Sequence, residues 1–114
     1  MDTSIPTTTF EMNRADEVRL HEHLLECSAD FVPPLAERVN LSDYAGKLCE
    51  RSTRFEAWSQ SKLIGLVAAY FDQSVLNESV FVSNVSVTPA FRSRGIAGRL
   101  MTQFHDHVAG KGIR

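Results

Sequence analysis

The richest chemistry lies between Val85 and Leu100. This stretch reads Val85-Ser86-Val87-Thr88-Pro89-Ala90-Phe91-Arg92-Ser93-Arg94-Gly95-Ile96-Ala97-Gly98-Arg99-Leu100. A valine-rich run enters it and a helical pattern leaves it, so its middle reads as a helix N-terminus. The first turn of a helix carries backbone N–H groups without intrahelical partners, and the aligned peptide dipoles add partial positive charge. A phosphate satisfies both, provided no side chain blocks its approach. Gly95 and Ala97 supply that bareness, and Gly95 also permits a positive φ. Arg92, Arg94 and Arg99 add a local positive field. The alternative is an ordinary strand-to-helix turn. The coincidence of small residues, arginines and a valine strand favours the anion site. It is not a Walker loop, because Gly-Lys-Ser/Thr is missing, and it lacks the Gly-x-Gly start of the dinucleotide fingerprint.

Other reactive side chains carry less. His21 and His23 are two apart, as are His105 and His107, whereas a metal pair on one helical face needs a spacing of three or four. Solvated histidines are the expectation, with no metal site. Cys27 and Cys49 fall on apolar stripes and read as inert buried thiols. Phe55, Trp58 and Tyr70 read as strand packing. Asn84 and Ser86 are polar positions on an apolar strand. They either line a groove or, for Asn84, face solvent. No acid in that strand offers itself as a general base.

These residues need a scaffold. Residues 1–8 are polar and Thr-rich and read as a flexible lead; the domain proper is expected over 9–114. Thr9 to Met12 alternate as a short strand. Asp16 opens a helix through about Cys27, with Leu20, Leu24, Cys27 and Phe31 on one face. Pro33-Pro34 stops regular structure. Ser42 is the expected cap of a second helix, whose stripe is Tyr44, Ala45, Leu48 and Cys49. Arg54 to Trp58 alternate, Ser59-Gln60-Ser61 form a turn, and Lys62 to Phe71 make a long strand buried on both faces in its middle. Gly65 inside it marks a bulge or a close backbone approach. Asp72 to Glu78 read as a polar loop and Ser79 to Val87 as a strand. Ile96, Leu100, Phe104 and Val108 then form one helical face, ending near Gly110-Lys111-Gly112. The expected class is α+β, a mixed and mostly antiparallel sheet flanked by helices in the order β-α-α-β-β-β-α.

The 114 residues fit one domain. The net charge of −2 argues against a general nucleic-acid binder. It conceals an asymmetry: residues 1–60 hold eleven acids against six bases, and residues 61–114 hold six bases against three acids. The longest apolar run, Leu63 to Phe71, is too short to span a membrane. Met1-Asp2-Thr3 opens without a signal-peptide pattern, and two cysteines make no disulfide scaffold, so the expected location is the cytoplasm.

Arg92-Ser93-Arg94-Gly95-Ile96-Ala97, after Val85-Ser86-Val87-Thr88-Pro89, resembles the Arg/Gln-x-x-Gly-x-Gly/Ala signature of the GNAT N-acetyltransferase superfamily. The resemblance covers about Thr9 to Ile113. It implies acetyl-CoA as co-substrate, its pyrophosphate held by backbone amides of Arg92, Ser93, Arg94, Gly95, Ile96 and Ala97 with Gly98 close by. It implies that backbone groups of Val85, Ser86 and Val87 bind the pantetheine arm. The implied reaction is acetyl transfer to an amine of a small molecule or peptide. Asp30 and Phe31, between the first two helices, would border the acceptor, and Asn84 is a third candidate. The family continues with a further strand, a helix and final strands that often carry a catalytic tyrosine. This sequence stops near the start of that part, so the catalytic residues are left unassigned. The expectation is a shortened acyltransferase domain. Its alternative is a truncated or inactive remnant that binds CoA or pairs with a partner. The edge of Ser79 to Val87 is expected to be covered in a homodimer or swapped oligomer.

Overall fold

The computed structural model describes residues 8–28, 40–73 and 78–110. Strand β1 (Thr9–Met12) leads to helix α1 (Glu17–Cys27) and helix α2 (Leu41–Arg51). Strands β2 (Thr53–Ser59), β3 (Lys62–Gln73) and β4 (Glu78–Val87) follow, then a 3₁₀ turn (Pro89–Phe91) and helix α3 (Ile96–Gly110). The four strands lie in the order β1-β2-β3-β4, and all their pairings are antiparallel. Helices α1 and α2 pack on one face with Trp58, Leu63, Leu66 and Ala68, and α3 packs on the other with Phe55, Ala57, Ile64, Val67 and Ala69. The expected α+β order is therefore present.

Local chemistry explains the boundaries. Asp16 caps α1 by accepting from the Arg19 N–H at 2.9 Å. The cap of α2 is Asn40, not Ser42: its extended backbone lets the side chain accept from the Asp43 N–H at 3.0 Å, while Ser42 already lies inside the first turn. Gln60 and Ser61 both take positive φ, at 51° and 67°, as the tight turn between two antiparallel strands demands. The proposed polar loop is shorter than Asp72 to Glu78, because Asp72 pairs with Ser79 and Gln73 with Glu78. Backbone pairing outweighed side-chain polarity there. The expected lead over 1–8, the Pro33-Pro34 stop and the Lys111-Gly112 helix end fall wholly or mostly outside the described residues.

Both readings of Gly65 hold. Ala57 pairs with Gly65 but Trp58 pairs with Leu63, so Ile64 is an extra residue. Ile64 and the open side of Gly65 then both face α3. A Cβ at Gly65 would lie 2.9 Å from Ile96 Cγ2 and 3.2 Å from Leu100 Cδ1. The bulge and the missing side chain let α3 rest directly on the strand.

The opposite face holds a buried ion pair. The expected alternation in β2 holds, with Phe55 and Ala57 facing α3 and Glu56 and Trp58 facing α1, but both faces are covered, so all four are buried. Glu56 accepts from the backbone N–H groups of Arg14 (2.9 Å) and Ala15 (3.0 Å), from Arg54 Nε (3.2 Å) and from Trp58 Nε1 (3.0 Å). Arg54 also donates to the carbonyls of Leu48, at the C-terminal end of α2, and of Ala15. The bonds from Arg14 and Ala15 to the carboxylate, and from Arg54 to Ala15 O, tie the β1–α1 turn to the sheet. Glu56→Ala leaves Arg54 buried and uncompensated. It is expected to cost about 3–5 kcal/mol of unfolding free energy, measured by urea denaturation; a loss under about 1 kcal/mol would show the pair to be dispensable.

Candidate functional site

The end of β4, the 3₁₀ turn and the first turn of α3 enclose a cleft of about 390 Å³. Val85, Ser86, Val87, Arg92, Ser93, Gly95, Ile96, Ala97 and Gly98 line it, joined by Phe91. Nine of the ten residues expected at a cofactor site thus meet in one cavity. Arg94 does not line it; its guanidinium lies 5.2 Å from the Phe91 ring centre. Phe91 escaped the sequence reading because an aromatic in a turn carries no periodic signal.

Thr88 continues the ladder, its N–H donating to Ile64 O at 2.9 Å, and Pro89 then starts the 3₁₀ turn. Arg92 Nε donates to Val87 O at 3.0 Å and pins the loop to the strand end. Ser93 and Gly95 take φ of 64° and 79°, which turn the backbone sharply into α3. The first intrahelical bond of α3 is Arg99 N–H to Gly95 O at 3.0 Å, so the N–H groups of Ile96, Ala97 and Gly98 precede the helical ladder. A Cβ placed on Gly95 or Gly98 would meet nothing within 4 Å, so the approach is open. The arginines are less concentrated than their spacing implies. Arg99 lies 4.5 Å from the ring centre of Phe10, on β1.

A second register shift shapes β4. Ala68 pairs with Asn84 but Ala69 pairs with Val82, so Ser83 is the extra residue. Tyr44 of α2 holds it, its hydroxyl 3.2 Å from Ser83 O and 2.6 Å from Ser83 Oγ. Val80 and Val82 before the bulge and Val87 after it all pack toward α3, and Asn84 and Ser86 turn toward α1. Asn84 is buried rather than facing solvent. Asp30 and Phe31 lie outside the described residues.

His23 corrects the expectation of solvated histidines. It is 1% exposed, with Nδ1 3.1 Å from Leu63 O and Nε2 2.8 Å from Ser86 Oγ. Ser86 Oγ lies 2.7 Å from Asn84 Oδ1. Burial pushes the His23 imidazole down from 6.5 to about 4, against smaller upward pulls from the Leu63 carbonyl and the Glu26 carboxylate; Lys62 adds to the lowering. The signal was present in the sequence, since His23 stands three after Leu20 and four before Cys27, on the apolar stripe itself. Among the described residues, no group of three or more His, Cys, Asp or Glu could hold a metal, and no helix is long and apolar enough to cross a membrane.

The sequence matches the family model described as acetyltransferase (GNAT) family over residues 18–114. No curated protein matches it. Solved structures share the fold. An acetyltransferase of the GNAT family, described as putative, from Desulfovibrio desulfuricans superposes with a TM-score of 0.73 at 14% identity, covering 95% of this chain and 70% of that one. The aminoglycoside N-acetyltransferase AAC(6')-Iy, solved in complex with CoA, gives 0.66 at 21% identity, covering 100% and 77%. The ribosomal-protein-alanine N-acetyltransferase of Brucella melitensis biovar Abortus 2308 gives 0.66 at 18%, covering 94% and 75%.

The buried imidazole makes a prediction about acid stability. Its folded value lies below its unfolded one, so between pH 6.5 and about 4 the unfolded chain binds the extra proton. Stability is full above pH 6.5 and falls as pH drops toward 4, by about 3 kcal/mol from this group. Urea titrations of the native chain and His23→Gln isolate that component; equal pH slopes for the two would contradict it.

Proposed function

The chain belongs to the acetyltransferase (GNAT) family, and from that membership we propose that it transfers an acetyl group from acetyl-CoA to an amine of a small molecule or peptide. The observation that carries this reading is the open helix N-terminus beside the end of β4. Its N–H groups precede the helical ladder, and nothing stands within 4 Å of the Cβ positions of Gly95 and Gly98. Two phosphates need such a cradle.

Backbone amides of Arg92, Ser93, Arg94, Gly95, Ile96 and Ala97, with Gly98 beside them, hold the pyrophosphate in this reading. The backbone of Val85, Ser86 and Val87 takes the pantetheine arm as an added strand. Acetyl-CoA supplies an activated thioester when bound. The chain's contribution is to neutralise the phosphate charge, to exclude water with Val85, Val87, Phe91 and Ile96, and to offer β4 amides to the charge that develops on the acyl oxygen. The aminoglycoside and ribosomal-protein acetyltransferases that share the fold suggest the amines to test first, a small polyamine and a peptide N-terminus. A cytoplasmic location suits this co-substrate.

The outer edge of β4 favours a second reading, in which the chain binds CoA or pairs with a partner chain without turnover. β4 is an outer strand of the described sheet, and it carries Phe81 at 65% and Val85 at 42% exposure. A strand from a second copy would satisfy that edge.

Gly95→Glu places a bulky negative side chain in the cradle. It is expected to weaken acetyl-CoA binding at least ~100-fold in calorimetry, and unchanged affinity would remove the loop from this account. Release of free thiol on adding an amine separates transfer from binding alone. For the edge, sedimentation is expected to give a dimer or swapped oligomer; a monodisperse monomer would rule out self-pairing.

A further inference from the structure

The His23–Ser86–Asn84 contacts pose a problem of proton count. Ser86 has one hydroxyl proton and faces two groups, His23 Nε2 at 2.8 Å and the Asn84 amide at 2.7 Å. His23 Nδ1 faces the Leu63 carbonyl at 3.1 Å, so Nδ1 must carry a proton. A neutral imidazole has no second one, and burial keeps it neutral. Nε2 is then an acceptor, and the Ser86 hydroxyl must donate to it. Cys27 Sγ, 3.8 Å from Nε2, also suits an acceptor there. As placed, Asn84 Oδ1 faces Ser86 Oγ. The two ends of an amide have the same shape, and with the hydroxyl proton committed to His23 the amide must be turned so that its NH₂ end donates to Ser86 Oγ. The charged groups acting on His23, Glu26 of α1 and Lys62 of β3, pair with each other at 2.7 Å.

Ser86 lines the cleft at the outer edge of β4, with its side chain on the α1 side of the strand. Its proton is committed to His23 and one of its lone pairs to Asn84. A serine hydroxyl normally donates or accepts, but this one can only accept. We propose that His23 is a positioning residue which, through the Ser86 hydroxyl, turns Ser86 Oγ into an acceptor for an N–H donor bound in the cleft. The donor's identity rests on the acetyl-transfer reading. It is the acceptor amine or, with the same chemistry, an amide N–H of the pantetheine arm. The relay moves no proton in the resting state; it sets which way the hydroxyl points and what it can recognise.

The test has two parts. Long-range ¹H–¹⁵N correlation on the free protein near pH 7 is expected to show His23 protonated at Nδ1 and bare at Nε2, the less common tautomer in water. Protonation at Nε2 would overturn the proposal whether or not the chain transfers acetyl groups. Kinetics then identify the donor. Gln at position 23 can place an acceptor oxygen toward Ser86, whereas Phe cannot. His23→Phe is expected to lower kcat/KM for the amine about tenfold with the acetyl-CoA Kd within about twofold, and His23→Gln to recover most of it. A tenfold weaker Kd for acetyl-CoA with unchanged KM for the amine would assign the pantetheine amide as donor and keep the acceptor role of Ser86. Equal losses in His23→Phe and His23→Gln would show a merely structural histidine. If native protein turns over no amine, acetyl transfer fails as a reading, and the tautomer still decides the relay.

Discussion

The architecture of the cleft depends on one close approach. Helix α3 lies on β3 where Gly65 has no side chain, and the bulge at Ile64 turns that bare backbone toward the helix. Ile96 and Leu100, the first two buried residues of α3, occupy the space a methyl group would take. Ile96 is also the first residue of the helix, so the same contact fixes where the helix N-terminus sits against the end of β4. Dispersion and burial make this contact favourable, and close packing makes it unforgiving. A larger residue at 65 would lift the helix from the sheet and open the cleft from below.

The two faces of the sheet divide the work. On the α3 side the packing is mostly apolar, with the His107 ring set edge-on against Phe55 and Phe71, and it sets geometry. On the α1 and α2 side two polar systems are buried, Glu56 with Arg54 and His23 with Ser86. Buried polar groups are costly unless they are satisfied, and satisfied ones hold a single arrangement. Glu56 fixes the turn that launches α1, and α1 carries His23 to β4. The bulge at Ser83 makes this partition possible, since it lets valines on either side of it face α3 while Asn84 and Ser86 face α1.

Much of this was legible in the residues. The stripe Ile96, Leu100, Phe104 marks α3, and β1 over Thr9 to Met12 was bounded by alternation alone. The cleft followed from small residues at a helix start, because that pattern has a local cause. What was missed has nonlocal causes. Asn40 caps α2 through its backbone conformation, which composition does not reveal. Glu56 and His23 are polar residues that the fold buries, against Ala15 for the first and Leu63 and Ser86 for the second, about forty or more positions away. The bulge at Ser83 depends on the strand beside it and on Tyr44 above it. The pattern in the sequence set the elements, and long-range pairing decided which polar residues went inside.

In the proposed function, the loop from Arg92 to Gly98 and the end of β4 receive acetyl-CoA. The most direct measurement is a titration of ¹⁵N-labelled protein with CoA, following backbone amide shifts. The largest shifts are expected at Ser93, Gly95, Ile96, Ala97 and Gly98, with smaller ones at Val85 to Val87 and little change along α2. Saturable binding that leaves the Gly95 to Gly98 amides unmoved would contradict the account.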